Sequence, residues 1–502
     1  MHTPSTTRWT TTSAYITLLL AGASAADVIT VGAGLDAETI PDALALAADG
    51  DELAIASGTW SPSAPDEAAL HLTNRQLTIR ALDAEDPPTF DGGPTGRAVV
   101  IDGGTIVLHN LVLLGGSISG GDINGDGLTS DWERSGGAMT VSGASVTMLN
   151  CSLSGGGAWH GGCLGAWSAD LSLQNCTISG GMATFFGGGA RMHGGSLSWN
   201  GGQLDNCTGD TGGGMVVGGG CALVLTNVAV SSCQATWYGG GLCLDSSQSA
   251  VSAALQQVSI ASCGAGQSGG GVYIYGGQFQ ADGMQIDACS AVDGAGIAAV
   301  DTVFGMSAGG ASANIASGDG GALWAVDSSV VVQSAVLGLN EAVYGGAVFL
   351  DWCSDASWQS ATFDANQAVL RGGALYAVGT GDSDTAVLLC VVQSNTAGLG
   401  VDGMVFTDGN AGGVSGSQFC GQAQHVGGAW TDLGGNSFAD ACVSNDCPGD
   451  LDDSGLIGLG DVTVLLNAWG ACGGDCAGDL DGDGTVAVRD LIELLSRWGQ
   501  GC

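Results

Sequence analysis

A four-residue phrase recurs along this chain in register: two glycines or nearly so, a small residue, then usually an apolar one. It reads "GGAM" at 136, "GGCL" at 161, "GGAR" at 188, "GGGM" at 212, "GGGL" at 239 and "GGGV" at 269. It continues as "GAGI" at 294, "GGAL" at 320, "GGAV" at 345, "GGAL" at 372 and "GLGV" at 398. The interval is nearly constant, as in repeat architectures, and so short a unit buries no apolar face alone. Neighbouring units must stack to bury it, which makes the chain a solenoid.

Inside each unit the apolar residues alternate. Leu242 and Leu244 flank Cys243, Val272 and Ile274 flank Tyr273, and Val348 and Leu350 flank Phe349. Alternation is the strand period, and no stretch between residues 98 and 410 carries a convincing helical one. The expected fold is all-β, a right-handed parallel β-helix over residues 26–415, with glycine corners where positive φ is sterically cheap. Cys151, Cys176, Cys207, Cys233, Cys263 and Cys289, then Asn340, Asn366 and Asn395, read as one internal ladder. Ladder side chains point in parallel at ~4.8 Å per rung rather than at each other, so the thiols are expected to be reduced and buried.

Charge narrows the partners. The 502 residues carry 49 Asp and Glu against nine basic residues, all Arg, for a net charge of −40. Such a chain repels phosphate backbones and anionic lipid, so nucleic acid and membrane surfaces are disfavoured and divalent cations are the natural partners. Residues 1–25 hold one Arg, an apolar run from Ala14 to Ala21 and Ala23-Ser24-Ala25, the pattern of a secretory signal peptide. The run is far shorter than the ~20 residues of a membrane span. An exported chain that meets calcium and an oxidising medium is expected, secreted or held at the cell surface.

Calcium has three sequence sites. "GDINGDGLTSDWE" (121–133) places Asp122, Asn124, Asp126 and Glu133 at the first, third, fifth and twelfth places of a loop with Gly127 at the sixth, the EF-hand spacing. The stretch from Leu113 to Met139 is counted as one ordinary turn, with this loop in a corner. In the tail, residues 447–502, Asp450, Asp452, Ser454 and Asp461 recur at a constant offset as Asp479, Asp481, Asp483 and Asp490. The helices that follow repeat too. Val462, Leu465, Leu466 and Trp469 match Leu491, Leu494, Leu495 and Trp498, two apolar stripes expected to bury each other.

This duplicated loop–helix unit resembles a dockerin domain over the whole tail. The resemblance implies one calcium per loop, held by places one, three, five and twelve, and attachment to a cohesin-like or cell-surface partner. Loop places ten and eleven, commonly a Ser-Thr type pair in cohesin binders, hold Leu459-Gly460 and Val488-Arg489. Cys447 and Cys472 bracket the first unit, Cys476 and Cys502 the second, and Cys420 and Cys442 bracket a cap or linker at 416–446. The run at 39–60 resembles the capping helix and first strand of pectin-lyase-like β-helices, with Thr39 as N-cap and Pro41 in the first turn. The "GGAL" and "GGAV" phrases, with Phe363-x-x-Asn366, resemble the repeats of polymorphic outer-membrane proteins.

Two classes of function follow. The column Tyr273, Ala298, Trp324, Phe349, Tyr376 should face outward on successive rungs, a strip of rings suited to the apolar faces of an extracellular polysaccharide. A strand-stabilising ladder is the plainer account of the same column. The alternative is a polysaccharide-degrading enzyme, a lyase or O-glycosyl hydrolase. Its carboxylates would be Asp382 and Asp384, with Asp351 and Asp355 below them, although each lies near a loop where a solvated acid is ordinary. With no Lys, and only Arg134, Arg191 and Arg371 in the repeats, the surface offers little to hold or deprotonate an anionic uronate. The reading is a calcium-stabilised polysaccharide binder or adhesin with a docking tail.

Overall fold

The computed structural model describes residues 26–64, 67–118, 129–379, 383–442, 449–451, 457–471, 478–481 and 484–498. The expected signal peptide lies outside them, as do Asp122, Asn124, Asp126, Asp382, Asp452, Ser454, Asp483 and the four tail cysteines.

The chain winds into a parallel β-solenoid of about 15 turns. One turn shows the plan: strands Val272–Tyr275, Gln278–Asp282, Gln285–Asp287 and Ser290–Ala291, separated by corners. Each pairs in parallel with its counterpart one turn on, so Val272 meets Ile297, Phe279 meets Phe304 and Ile286 meets Ala311. The inward residues of the first three strands make one continuous core, in which the Phe279 and Phe304 rings stack 5.5 Å apart. The alternation read from the sequence is therefore a true inside–outside code.

The glycine phrase closes each turn. Its first glycine has positive φ, as at Gly320 (+65°), Gly345 (+59°) and Gly372 (+67°), and a Cβ there would collide with the carbonyl three residues on. Two phrases shift. The third begins at Gly187, because Ala190 pairs with Leu164 and Met215. The last is "VDGM" at 401, because Met404 pairs with Leu375. Glycine content alone misplaced both.

The stretch with EF-hand spacing at 122–133 does not fall in an ordinary turn. Met139 pairs with Val99, and Leu153 with Leu113, so Leu113 and Met139 occupy different strands. This turn runs from Leu113 all the way to Leu153, and the loop is an insertion relative to a plain turn such as Leu164 to Ala190.

The cysteine ladder is two ladders. Cys151 and Cys176 share one corner, where Cys176 pairs with Gly202 above. Cys207, Cys233, Cys263 and Cys289 stack at the next corner, each carbonyl receiving the amide that follows the cysteine above. The step from Cys176 to Cys207 is thus one turn, to Gly202, plus the strand that leads from Gly202 to the next corner. All six are free and buried. The second corner continues upward as Asn314, Asn340, Asn366 and Asn395, whose side chains bond one another at 2.9 to 3.0 Å.

At the start, helix α1 (Ile40–Leu46) has Thr39 as N-cap and buries Ile40 and Ala43 in the main core. Residues 416–442 contribute strands Val426–Gly428, Trp430–Asp432 and Ser437–Ala439, which pair onto the turn below, and a Cys420–Cys442 disulfide. In the tail, helices α2 (Leu459–Asn467) and α3 (Val488–Ser496) bury Leu465 and Leu494 with Ile457 and Val486. Leu466, Trp469, Leu495 and Trp498 stay exposed, so only half of each apolar stripe is used between the helices. Among the described residues no helix is long and apolar enough to cross a membrane.

Candidate functional site

The phrase does more than turn the chain. The residue before its first glycine and the residue four places after that glycine lie on the two sides of one corner that runs up the solenoid. The first column reads His160, Phe186, Thr211, Tyr238, Ser268, Asp293, Asp319, Tyr344, Arg371. The second reads Gly165, Arg191, Val216, Cys243, Tyr273, Ala298, Trp324, Phe349, Tyr376, each paired with the next in register.

The second column contains the expected aromatic strip, in the expected register. Its rings are half-buried rather than freely exposed, and Ala298 is fully buried. What covers them is the first column. Tyr344 lies 5.0 Å from Tyr376 and Tyr238 lies 4.7 Å from Tyr273, each reaching diagonally to the rung above, while Phe349 and Tyr376 stack at 5.8 Å. The strip is thus a corner lined with rings on both walls. Tyr238, Tyr344, Asp293 and Asp319 were missed in the sequence, although their signal was there: each directly precedes a glycine phrase.

Carboxylates gather beside the rings. Asp293 Oδ1 accepts from the Asp319 amide at 2.9 Å, and Asp319 Oδ1 accepts from the Tyr344 amide at 3.2 Å. Burial, then the charge of Asp293, pushes Asp319 up to about 6. Asp351, two residues beyond Phe349, is also raised, by burial and by Asp327. A group with a raised folded pKa favours the fold when protonated. The stability Asp319 contributes is complete below its ordinary value of 3.8 and is lost as pH rises through about 6. Asp319→Asn keeps the Tyr344 bond and removes the charge. It should melt a few degrees higher than wild type at pH 7.5 and low salt, an advantage muted by solvent screening that closes between pH 6 and 4. A gap independent of pH would show that Asp319 carries no such charge cost.

The carboxylates chosen from sequence are split up. Asp355 and Asp384 pair directly on adjacent rungs and line a concavity of about 440 Å³ with Ser357, Gly413 and Thr431. Asp351 is on the aromatic strand instead, paired with Val326 and Val378. Burial holds the Cys163 and Cys243 thiols up at about 12, which disfavours a thiolate at either.

The three loops with EF-hand spacing share one closing bond. In each, the twelfth-place carboxylate accepts the ninth-place amide: Glu133 from Ser130, Asp461 from Gly458, and Asp490 from Ala487, all at 2.7 to 2.8 Å. Asp461 and Asp490 also accept the second-place amides of Leu451 and Leu480. In the second tail loop the ligand atoms of Asp479, Asp481 and Asp490 lie within 4.8 Å of one another, a spacing that fits a hard cation.

No protein-family model matches the chain, and no curated protein matches it in sequence.

Proposed function

We propose that this is an exported, calcium-stabilised β-helix that binds polysaccharide along its ring-lined corner and is anchored by a dockerin-like tail. The observation that carries the binding is the in-register run Trp324, Phe349, Tyr376, widened by Tyr344 from the facing wall. Half-buried rings fixed by their neighbours lose little side-chain freedom on contact with a sugar face, and the neighbouring carboxylates can accept from its hydroxyls. Residues 1–25 would direct export, residues 26–415 with the Cys420–Cys442 segment would form the binding body, and calcium would hold the tail. Asp479, Asp481 and Asp490, with Asp450 and Asp461 in the first loop, would be its described ligands. The exposed Leu466, Trp469, Leu495 and Trp498 give that tail a duplicated apolar face for a cohesin-like or cell-surface partner.

Removing two rings tests the binding. Trp324→Ala with Tyr376→Ala leaves the inward core untouched, so melting should fall by only a few degrees while retention on a panel of polysaccharides drops at least ten-fold. Unchanged retention on every polysaccharide that wild type binds would reduce the strip to a structural ladder. The same panel addresses the enzymatic alternative, which the juxtaposed Asp355 and Asp384 favour. Rung spacing of ~4.8 Å puts two carboxyls near the separation of retaining glycosidases. Soluble product that disappears in Asp355→Asn with Asp384→Asn would make the protein a hydrolase.

A further inference from the structure

The lower end of the same corner holds a buried cation with no close ion-pair partner among the described residues. Arg191 is 7% exposed, yet its Nε and Nη1 have no hydrogen-bond partner among the described residues. Its Nη2 lies 3.4 Å from His193 Nδ1, and its guanidinium sits 5.0 Å from the centre of the Phe186 ring. No carboxylate of the described residues closes on it as an ion pair. Asp245 and Asp131 attract it only from beyond ion-pair distance, and Asp245 Oδ1 accepts from the Ser247 amide at 2.9 Å. A desolvated guanidinium with unmet donors is costly, and a stack built for stability alone would carry an apolar residue here, as it does at Val216 one rung up.

The surroundings are those of a ligand shelf. Trp167 and His193 stack in one column with ring centres 4.5 Å apart, and the next position up is Gly218, where a Cβ would come 3.4 Å from Arg191 Nη2. The missing side chain leaves a gap there, bounded by the guanidinium and by the Asp245 carbonyl, which lies 3.3 Å from the same point. His160, also 7% exposed and without a partner for Nδ1, stacks on Phe186 at 5.4 Å. Phe186 itself is 39% exposed, so the ring beside Arg191 faces solvent. Arg134, over the Trp159 ring at 4.3 Å, adds a second positive charge to this end.

We infer that Arg191 receives the carboxylate of an acidic sugar, whose ring lies against Trp167 and His193. This rests on the glycan reading only for the direction of the chain. Five rungs separate Arg191 from Trp324, about 24 Å at ~4.8 Å each, so a longer oligosaccharide could lie along the corner from one to the other.

The test uses the full chain and single sugars, which are too small to reach Trp324, so its failure is separable from failure of the upper strip. Glucuronate and galacturonate are titrated against wild type and Arg191→Met, beside their methyl esters and a sulfated hexose. The acids should bind wild type at least ten-fold more tightly than the esters, and the variant should lose that preference. Without ligand, Arg191→Met should melt at the same temperature or several degrees higher, because it removes a buried unpaired charge. A clear drop in melting temperature would make Arg191 a structural residue and overturn the assignment, as would equal binding of acid and ester or acid binding retained in the variant. Preference for the sulfated hexose over both uronates would overturn the carboxylate. Arg191→Lys, which keeps the charge without the planar fork, should bind the acids more weakly than wild type, and binding as tight as wild type would overturn a role for the guanidinium.

Discussion

Asn366→Ala is expected to destabilise the solenoid by about 3–5 kcal/mol, more than any other single surface or corner change in the upper turns, because it breaks a buried polar chain in its middle. The Asn366 side chain makes four hydrogen bonds inside the stack. Its Nδ2 donates to the Leu337 carbonyl at 2.8 Å and to Asn395 Oδ1 at 2.9 Å, and its Oδ1 accepts from Asn340 N at 3.0 Å and Asn340 Nδ2 at 2.9 Å. Alanine strands the Asn340 amide, which is buried with its residue at 0% exposure. Each stranded donor costs about 1–3 kcal/mol, and the emptied volume adds to it. Since turns stack through nearest neighbours, the loss should appear first as early exchange of amides near residues 340, 366 and 395. Asn366→Cys is the informative control, because Cys289 occupies the same corner two rungs below Asn340 and meets the Asn314 side chain only through its backbone amide. It should cost less than alanine. If Asn366→Ala proves as stable as wild type, to within about 0.5 kcal/mol, the ladder contributes no net stability.

How much of this was legible follows from what a linear period can encode. The fold class, the inward alternation and the aromatic register were readable, because residues one turn apart stack and the glycine phrase marks each turn. Phase was harder. Cys176 and Cys207 look like neighbours in the period and stand at different corners, since a short length of extended strand carries the chain from one corner to the next. The same slip made Leu113 and Met139 look like one turn. Facing walls leave no mark in a one-turn period. Tyr344 is far from Tyr376 in sequence and beside it in space, because the glycine corner folds the chain back on itself. Arg191 was counted among three scattered arginines. Only the structure shows that it is buried with unmet donors while Arg371 is exposed. The tail was the reverse case: its duplicated spacing marked the acidic loop places, and the closing bonds of Asp461 and Asp490 show why the twelfth place holds an acid even before a cation is considered.

Removing calcium should unfold the tail and leave the solenoid folded. Asp479, Asp481 and Asp490 hold their ligand atoms within 4.8 Å of each other, and three carboxylates so close repel unless a cation or protons intervene. The core that opposes this repulsion is thin: Ile457, Leu465, Val486 and Leu494, with a few partly buried neighbours. Saturating calcium at about a hundred times its Kd would add about 2.7 kcal/mol per site, comparable to what so small a module holds on its own. Titration of the full chain should therefore give about two ions at the tail and one more at the 122–133 loop. Chelator should open residues 443–502 to protease while residues 26–442 stay protected. Asp481→Asn keeps the closing bonds of Asp490, so it should weaken one tail ion without unfolding the apo chain further. Asp490→Ala removes the acceptor for the Leu480, Asp481 and Ala487 amides and should loosen the tail even with calcium present. No calcium uptake by wild type, or a protease pattern indifferent to chelator, would remove both the metal and the dockerin-like reading of the tail.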